Sequence, residues 1–180
     1  MIQVRPYEDF AAHAVLSRLD PMDQLEAEVV RGGHEPPLAI FADWRAANAA
    51  RLISTVLLTD VGTPFAVLGL SHTGQAGVAQ AALLARDHTK FRRPLAEAAL
   101  RIRKEMPVFA EEFGVHRIET RSWVQHPSGA RLLVACGFHL EATMPGFGPL
   151  GDHAFHQFAW VAPYNTPAPE APDLKTSERT

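Results

Sequence analysis

Three extended apolar runs lie almost back to back in the middle of this chain, and they limit what it can fold into. "RLISTVLLT" (51–59) is followed by the turn "DVGTP", then "FAVLGLS" (65–71), the loop "HTGQAG" and "VAQAALLA" (78–85). Connections this short leave no room for a crossover helix, so the three runs are expected to pair as an antiparallel meander. The third run is nearly all apolar, as for a strand covered on both faces. A helical stripe follows it. Leu95, Ala99, Ile102, Met106, Phe109 and Phe113 recur at steps of three and four, with Glu97, Arg101, Lys104, Glu105 and Glu112 opposite. Pro107 falls inside the stripe, where a kink or break is expected, and Gly114 closes it.

The flanking segments are shorter. "IQVRPY" alternates Ile2 and Val4 inward against Gln3 and Arg5 outward, a first strand. Asp9 is placed to cap a helix carrying Phe10, Ala14 and Leu19. In "DPMDQLEAEVVRGG", Asp20 caps a second helix, Pro21 occupies its first turn and Gly32-Gly33 ends it. "PLAIFADWRAANAA" predicts a third short helix with Leu38, Phe41, Trp44 and Arg45 on one stripe. Beyond Gly114, "VHRIETRSWV" reads as a strand and "HPSGARLLVACGF" as a helix closed by Gly137. "FHLEATM" and "HAFHQFAWVA" are two further strands joined by the loop "PGFGPLGD". From Pro163 the composition changes to "PYNTPAPEAPDLKTSERT", with little to bury. Residues 1–162 are therefore expected to form one domain and 163–180 a flexible tail.

The 180 residues carry a net charge of -3, against general nucleic-acid binding, which favours a strongly basic domain. Nine histidines are spread along the chain, and only His153 and His156 fall close together. No carboxylate or cysteine completes a metal-ligand pattern beside them, so no metal site is expected. Cys136, the single cysteine, sits in an apolar run and reads as a buried, inert thiol. The first residues lack a signal-peptide pattern, and no apolar run approaches the roughly 18 residues of a membrane span. A soluble, cytoplasmic protein is expected.

The order of elements, together with "RIETRSWVQHPSGARLLVACGF" (117–138), resembles the GCN5-related N-acetyltransferase (GNAT) superfamily over roughly residues 1–162. The resemblance implies an α+β fold of αβα layers. Its central sheet would be mixed but mostly antiparallel, with about seven strands flanked by helices. It also implies acetyl-CoA bound beside a splayed pair of central strands, its pyrophosphate on amides at the start of the long helix. Within the superfamily the chain is similar in pattern to GNAT-like internal virion proteins of short-tailed phages. The shared texture is a basic, glycine-free "KFRR", an aromatic strand leading to a helix ended by glycine, and a last strand rich in Phe, His and Gln. That second resemblance implies phage structural proteins as partners and incorporation into the virion.

If the cofactor site is retained, the resemblance places it at Leu84, Arg86, Lys90, Phe91, Arg92 and Arg93. Yet the superfamily's Gln/Arg-x-x-Gly-x-Gly/Ala loop corresponds to "DHTKFRRPLA" (87–96), which has no glycine. A helix N-terminus there still favours an anion by about 0.3–1 kcal/mol. Side chains at the turn crowd a closely approaching pyrophosphate, however, and Pro94 removes one donor. Leu133 stands where active relatives carry the tyrosine that protonates the departing thiolate, and a leucine has no proton to give. His126 stands in place of the asparagine that opens the last helix, and it could act as acid or base near neutral pH. No partner for it is visible in the sequence. Among carboxylates, Glu119 is the remaining candidate base, although Arg117 and Arg121 on its face suit an ordinary cross-strand charge pair. His72 is a weaker candidate. The expectation is a GNAT-fold, virion-associated or assembly-linked protein with degenerate acyl-CoA motifs and no normal acetyltransferase activity. Its alternatives are an acyl-CoA-dependent N-acetyltransferase with a divergent pyrophosphate loop, and a module that senses CoA or another anion at Lys90, Arg92 and Arg93.

Overall fold

A computed structural model of the chain describes residues 1–163, so the expected tail lies outside the described residues apart from Pro163. The elements run β1 (Gln3–Pro6), α1 (Asp9–Leu16), α2 (Pro21–Arg31), α3 (Pro37–Ala47), β2 (Arg51–Leu58), β3 (Pro64–His72), β4 (Val78–Ala85), α4 (Arg92–Glu112), β5 (Arg117–Trp123), α5 (Pro127–Ala135), β6 (His139–Phe147) and β7 (His153–Val161). The strands form one sheet in the order β1-β2-β3-β4-β5-β7-β6. Every pairing is antiparallel except β4 with β5, the pair joined through α4. The meander and the α+β architecture match the sequence reading.

The helices cover the sheet with separate apolar clusters. Ala12, Val15 and Leu16 of α1 pack with Ile40 and Trp44 of α3 on Val56 and Val67 of the sheet. Met106 and Ala99 of α4 pack with Cys136 and Phe138 on Leu70, Ile118 and Phe158. A third cluster holds Phe65, Phe91 and Leu95 near the start of α4. Burying a side chain the size of Phe65 or Phe158 contributes about 1.5–3 kcal/mol. Burial pushes the Cys136 thiol up to about 12, which keeps it protonated and inert.

Several local expectations change. Glu8, not Asp9, caps α1 by accepting from the amides of Phe10 and Ala11, while Asp9 pairs with Arg45. With the helix set one residue differently, Phe10 is 80% exposed and Ala12, Val15 and Leu16 face inward. In α3 the inward residues are Ile40 and Trp44, whereas Leu38 is exposed. Helix α4 runs unbroken through Pro107, whose exposed position leaves the freed carbonyl of the preceding turn to water. Strand β6 extends through Phe147 into the expected loop, with an irregular register between Pro145 and Phe147. Strand β4 is not covered on both faces throughout, since Gln80 and Ala82 are exposed.

The pairing of β4 is also short on its β5 side. β4 and β5 share only Val78↔Arg117, Ala79↔Ile118 and Gln80↔Glu119, although β4 continues to Ala85 and β5 to Trp123. Gly77 begins this register: its carbonyl accepts from the amides of both His116 and Arg117. Its φ is +69°, and a Cβ there would sit 1.7 Å from His116 Cε1. Only glycine fits. Gly77→Ala is expected to lower the stability of the protein by at least about 2 kcal/mol, the sum of a positive-φ penalty and a clash with the ring. Urea denaturation would read this as a lower midpoint, with partial recovery in Gly77→Ala/His116→Ala because only the clash is relieved.

Candidate functional site

Beyond the ends of β4 and β5, three segments distant in sequence meet: the first turns of α2, the turn 86–91 and the start of α5. Asp20 is the N-cap of α2, its Oδ1 accepting from the Met22 amide at 3.0 Å. Its Oδ2 accepts from the His88 amide at 2.8 Å, and its own amide donates to the Ala85 carbonyl at 2.9 Å. One turn on, Asp23 Oδ2 accepts from the Ala85 amide at 2.7 Å. Both polar backbone atoms of the last residue of β4 are thus taken by α2.

The turn itself is braced from within. Asp87, at φ +22°, is the one non-glycine residue with positive φ among those described. Its Oδ1 accepts from the Lys90 amide and its carbonyl from the Phe91 amide. Phe91 is buried and stacks on Phe65, so it anchors the turn in the core rather than facing a ligand. Arg86 is equally committed, donating from Nη1 to the Pro64 carbonyl and from its amide to Phe65. Burial outweighs the nearby Asp87 and lowers its guanidinium pKa from the ordinary value. Leu84 packs with the α1 and α3 cluster. Lys90, Arg92 and Arg93 are exposed, and none of the three forms an ion pair among the described residues. Of the six residues placed at a cofactor site by resemblance, three build the fold and three lie on the surface.

His126 is where the structure adds most. It is buried at the start of α5, and its Nδ1 lies 2.7 Å from Glu26 Oε2. Its Nε2 stands 3.5 Å from Asp23 Oδ1, too poorly placed for a hydrogen bond, and has no other partner. The partner that the sequence did not reveal therefore comes from α2, one hundred residues away. Gly129 makes the arrangement possible: a Cβ there would lie 2.7 Å from Ser122 Oγ and 3.0 Å from His126 Nδ1. His88 stacks parallel on His126, with ring centroids 5.5 Å apart, and its Nε2 lies 3.1 Å from Asp23 Oδ1. Burial alone would lower the His88 pKa, but the Asp23 and Asp20 carboxylates outweigh it and raise the value above the ordinary imidazole range.

Glu119 plays no part in this cluster. It receives Arg117 Nε at 2.6 Å, and the same guanidinium forks onto Glu141 of β6. Such a partly exposed ion-pair network, within β5 and across β7 to β6, is a surface arrangement. His72 is exposed at the end of β3. Leu133 lines an apolar cavity of about 140 Å³ with Leu132, Met106, Thr120 and Cys136, so no ionisable side chain stands at its position. His153 and His156 do not form a pair: one packs on Trp123 and the other meets Thr143. Asp20, Asp23, Glu26 and His88 were missed as a group by sequence reasoning. The signal available was the acidic first turn of α2, which reads equally well as routine helix capping.

Because Asp20 both caps α2 and tethers the turn, Asp20→Ala is expected to cost about 1–3 kcal/mol, from a lost cap and a lost charge-assisted bond. Asp20→Asn keeps the cap but offers an amide to the His88 N–H, so its loss should be intermediate. Chemical denaturation gives the ranking, and hydrogen exchange at the His88 amide should speed up in both variants.

Neither a protein-family model nor a curated protein matches this sequence. Solved structures do match it. An acetyltransferase of the GNAT family from Bacillus anthracis aligns with a TM-score of 0.68 at 12% identity, covering 89% of this chain and 94% of that one. Spermidine N-acetyltransferase from Vibrio cholerae, solved with CoA and spermine, aligns with a TM-score of 0.65 at 12% identity, covering 89% and 95%. YncA from Salmonella typhimurium, solved with its cofactor acetyl-CoA, aligns with a TM-score of 0.62 at 14% identity, covering 94% and 98%. At these identities the likeness concerns the fold, and the seven-stranded mixed sheet with five flanking helices is that of the GNAT acetyltransferases.

Proposed function

We propose that this chain is a GNAT-fold protein that does not carry out conventional acetyl-CoA-dependent transfer. One observation carries the reading: the acidic start of α2 holds the end of β4 and the turn before α4. The amides of Ala85, His88, Lys90 and Phe91 already donate to Asp23, Asp20 and Asp87. A diphosphate on this turn needs such amides free and a positive field around them, and only the first amides of α4 itself stay uncapped. Here it would meet Asp20 and Asp87, which together with Arg18 line a cleft of about 530 Å³ between α2 and the turn. The residues present do not fit that group. Leu133 adds a second mismatch, because it cannot protonate a thiolate.

The finer part of the proposal is a virion-associated or assembly-linked role in a phage. It is supported by the residue pattern of 87–96 and of β7, and by a fold able to persist as a scaffold once its site is lost. Mass spectrometry of purified particles from a phage carrying the gene should find the protein, and its absence there removes this part.

One observation favours the alternative, an acyl-CoA-dependent N-acetyltransferase with a divergent loop. The pairing of β4 with β5 stops at Gln80↔Glu119, which leaves 81–85 and 120–123 without each other as partners, as in a splayed pair of strands. Calorimetric titration with acetyl-CoA separates the readings. No detectable binding is the expected result. Micromolar binding that weakens in Arg92→Ala and Arg93→Ala would reverse the proposal, and turnover with an amine acceptor would then establish the enzyme.

A further inference from the structure

The histidines and carboxylates between α2, the turn and α5 are arranged more specifically than a charged network requires. Asp23 Oδ1 is approached by two imidazole nitrogens, His88 Nε2 at 3.1 Å and His126 Nε2 at 3.5 Å. The ligand-type atoms of all three residues lie within 4.8 Å of one another. Metal–ligand bonds of about 2.0–2.2 Å around a tetrahedral ion separate neighbouring ligand atoms by about 3.3–3.5 Å. The two spacings at Asp23 Oδ1 lie close to that range.

Each of these side chains is also held from behind. His126 Nδ1 meets Glu26 Oε2 at 2.7 Å, which in the neutral ring makes Nδ1 the donor and leaves a lone pair on Nε2. In that tautomer the lone pair faces the Asp23 carboxylate, also an acceptor, so a cation, either a metal ion or a proton on Nε2, belongs between them. His126 Nε2 is accordingly buried without a partner in a residue only 4% exposed. A cation between the two acceptors removes the conflict. Asp23 Oδ2 is fixed by the Ala85 amide, and His88 Nδ1 lies 3.6 Å from Asp20 Oδ1. A carboxylate behind His126, the Ser128 hydroxyl behind His88 and an amide behind Asp23 are the kind of outer partners that orient metal ligands.

We propose that Asp23, His88 and His126 bind one divalent transition-metal ion of the zinc type. Two imidazoles and one carboxylate suit such an ion better than magnesium or calcium, which take oxygen ligands. Three protein ligands leave a fourth position for water, and the ion ties α2, the turn 86–91 and the start of α5 together. The sequence hid this site because its ligands come from three separate segments, at spacings that match no metal motif.

The test uses the full chain, stripped of metal and titrated with Zn²⁺ against a chromophoric chelator, with Co²⁺ absorption as a second readout. One equivalent should bind, the cobalt form should show the visible bands of a tetrahedral site, and thermal unfolding should move up with bound zinc. Glu26→Gln, which leaves all three ligands in place, should weaken binding about 10–100-fold. His88→Gln and Asp23→Asn should weaken it more, with circular dichroism confirming that they fold. His153→Gln and His156→Gln should bind as the parent does. Absence of stoichiometric zinc binding by the parent chain would overturn the proposal and leave a charged histidine–carboxylate network in its place. Binding of undiminished strength in His88→Gln and Glu26→Gln would overturn it as well, because the ion would then sit elsewhere. The readout is metal uptake, so its failure leaves the reading of the acetyl-CoA turn standing.

Discussion

The capture of Ala85 by α2 is the contact on which the surroundings of this site depend. A strand that loses its neighbour leaves backbone donors and acceptors that must find other partners. Past Gln80, β4 has no hydrogen-bonded partner on its β5 side, and at its last residue the partners come from a helix. The Asp23 carboxylate takes the amide of Ala85, and the Asp20 amide gives to its carbonyl. The first is a buried, charge-assisted bond, stronger than an ordinary amide–carbonyl pair. It places α2 against the turn, where Asp20 can hold the His88 amide, and against α5, where Glu26 can reach His126.

This capture reverses the electrostatic character of the helix entrance. A bare helix N-terminus offers free amides and a partial positive charge. The turn before α4 is bordered by Asp20 and Asp87, and the amides of His88, Lys90 and Phe91 are engaged within the protein. The positive residues of the segment, Lys90, Arg92 and Arg93, are exposed. The fold matches proteins solved with CoA or acetyl-CoA, while two carboxylates hold the backbone of this turn. Fold and site chemistry are separable.

Much of the scaffold was legible because its signals are local. The meander follows from short connections, the long helix from the spacing of Leu95, Ala99, Ile102 and Met106, and α2 from Asp20, Pro21 and Gly32. The misses were also local competitions that sequence leaves nearly balanced. Glu8 and Asp9 are adjacent possible caps, and the choice of Glu8 turned Phe10 out and Ala12 in. Leu38 and Ile40 were alternative inward residues of α3, decided by which one met the sheet. Pro107 was tolerated because it lies on the solvent face. Of the site, His126 was picked out because it stands where the resembled family has an asparagine, but its partners were not, and Glu119 proved to be committed to Arg117.

By itself the sequence determined the succession of strands and helices, the cap and stop of α2, and the absence of glycine from the turn before α4. These are properties of neighbouring residues, set by backbone propensity and by periodicity of three to four or two. Only the tertiary structure decided that Asp23 would meet Ala85 across 62 positions and Glu26 meet His126 across 100. Contacts at such separations are created by the order of strands in the sheet and by helices docking on it. No local pattern of residues encodes those distances, so the chemistry of the cluster became visible only once the chain was folded.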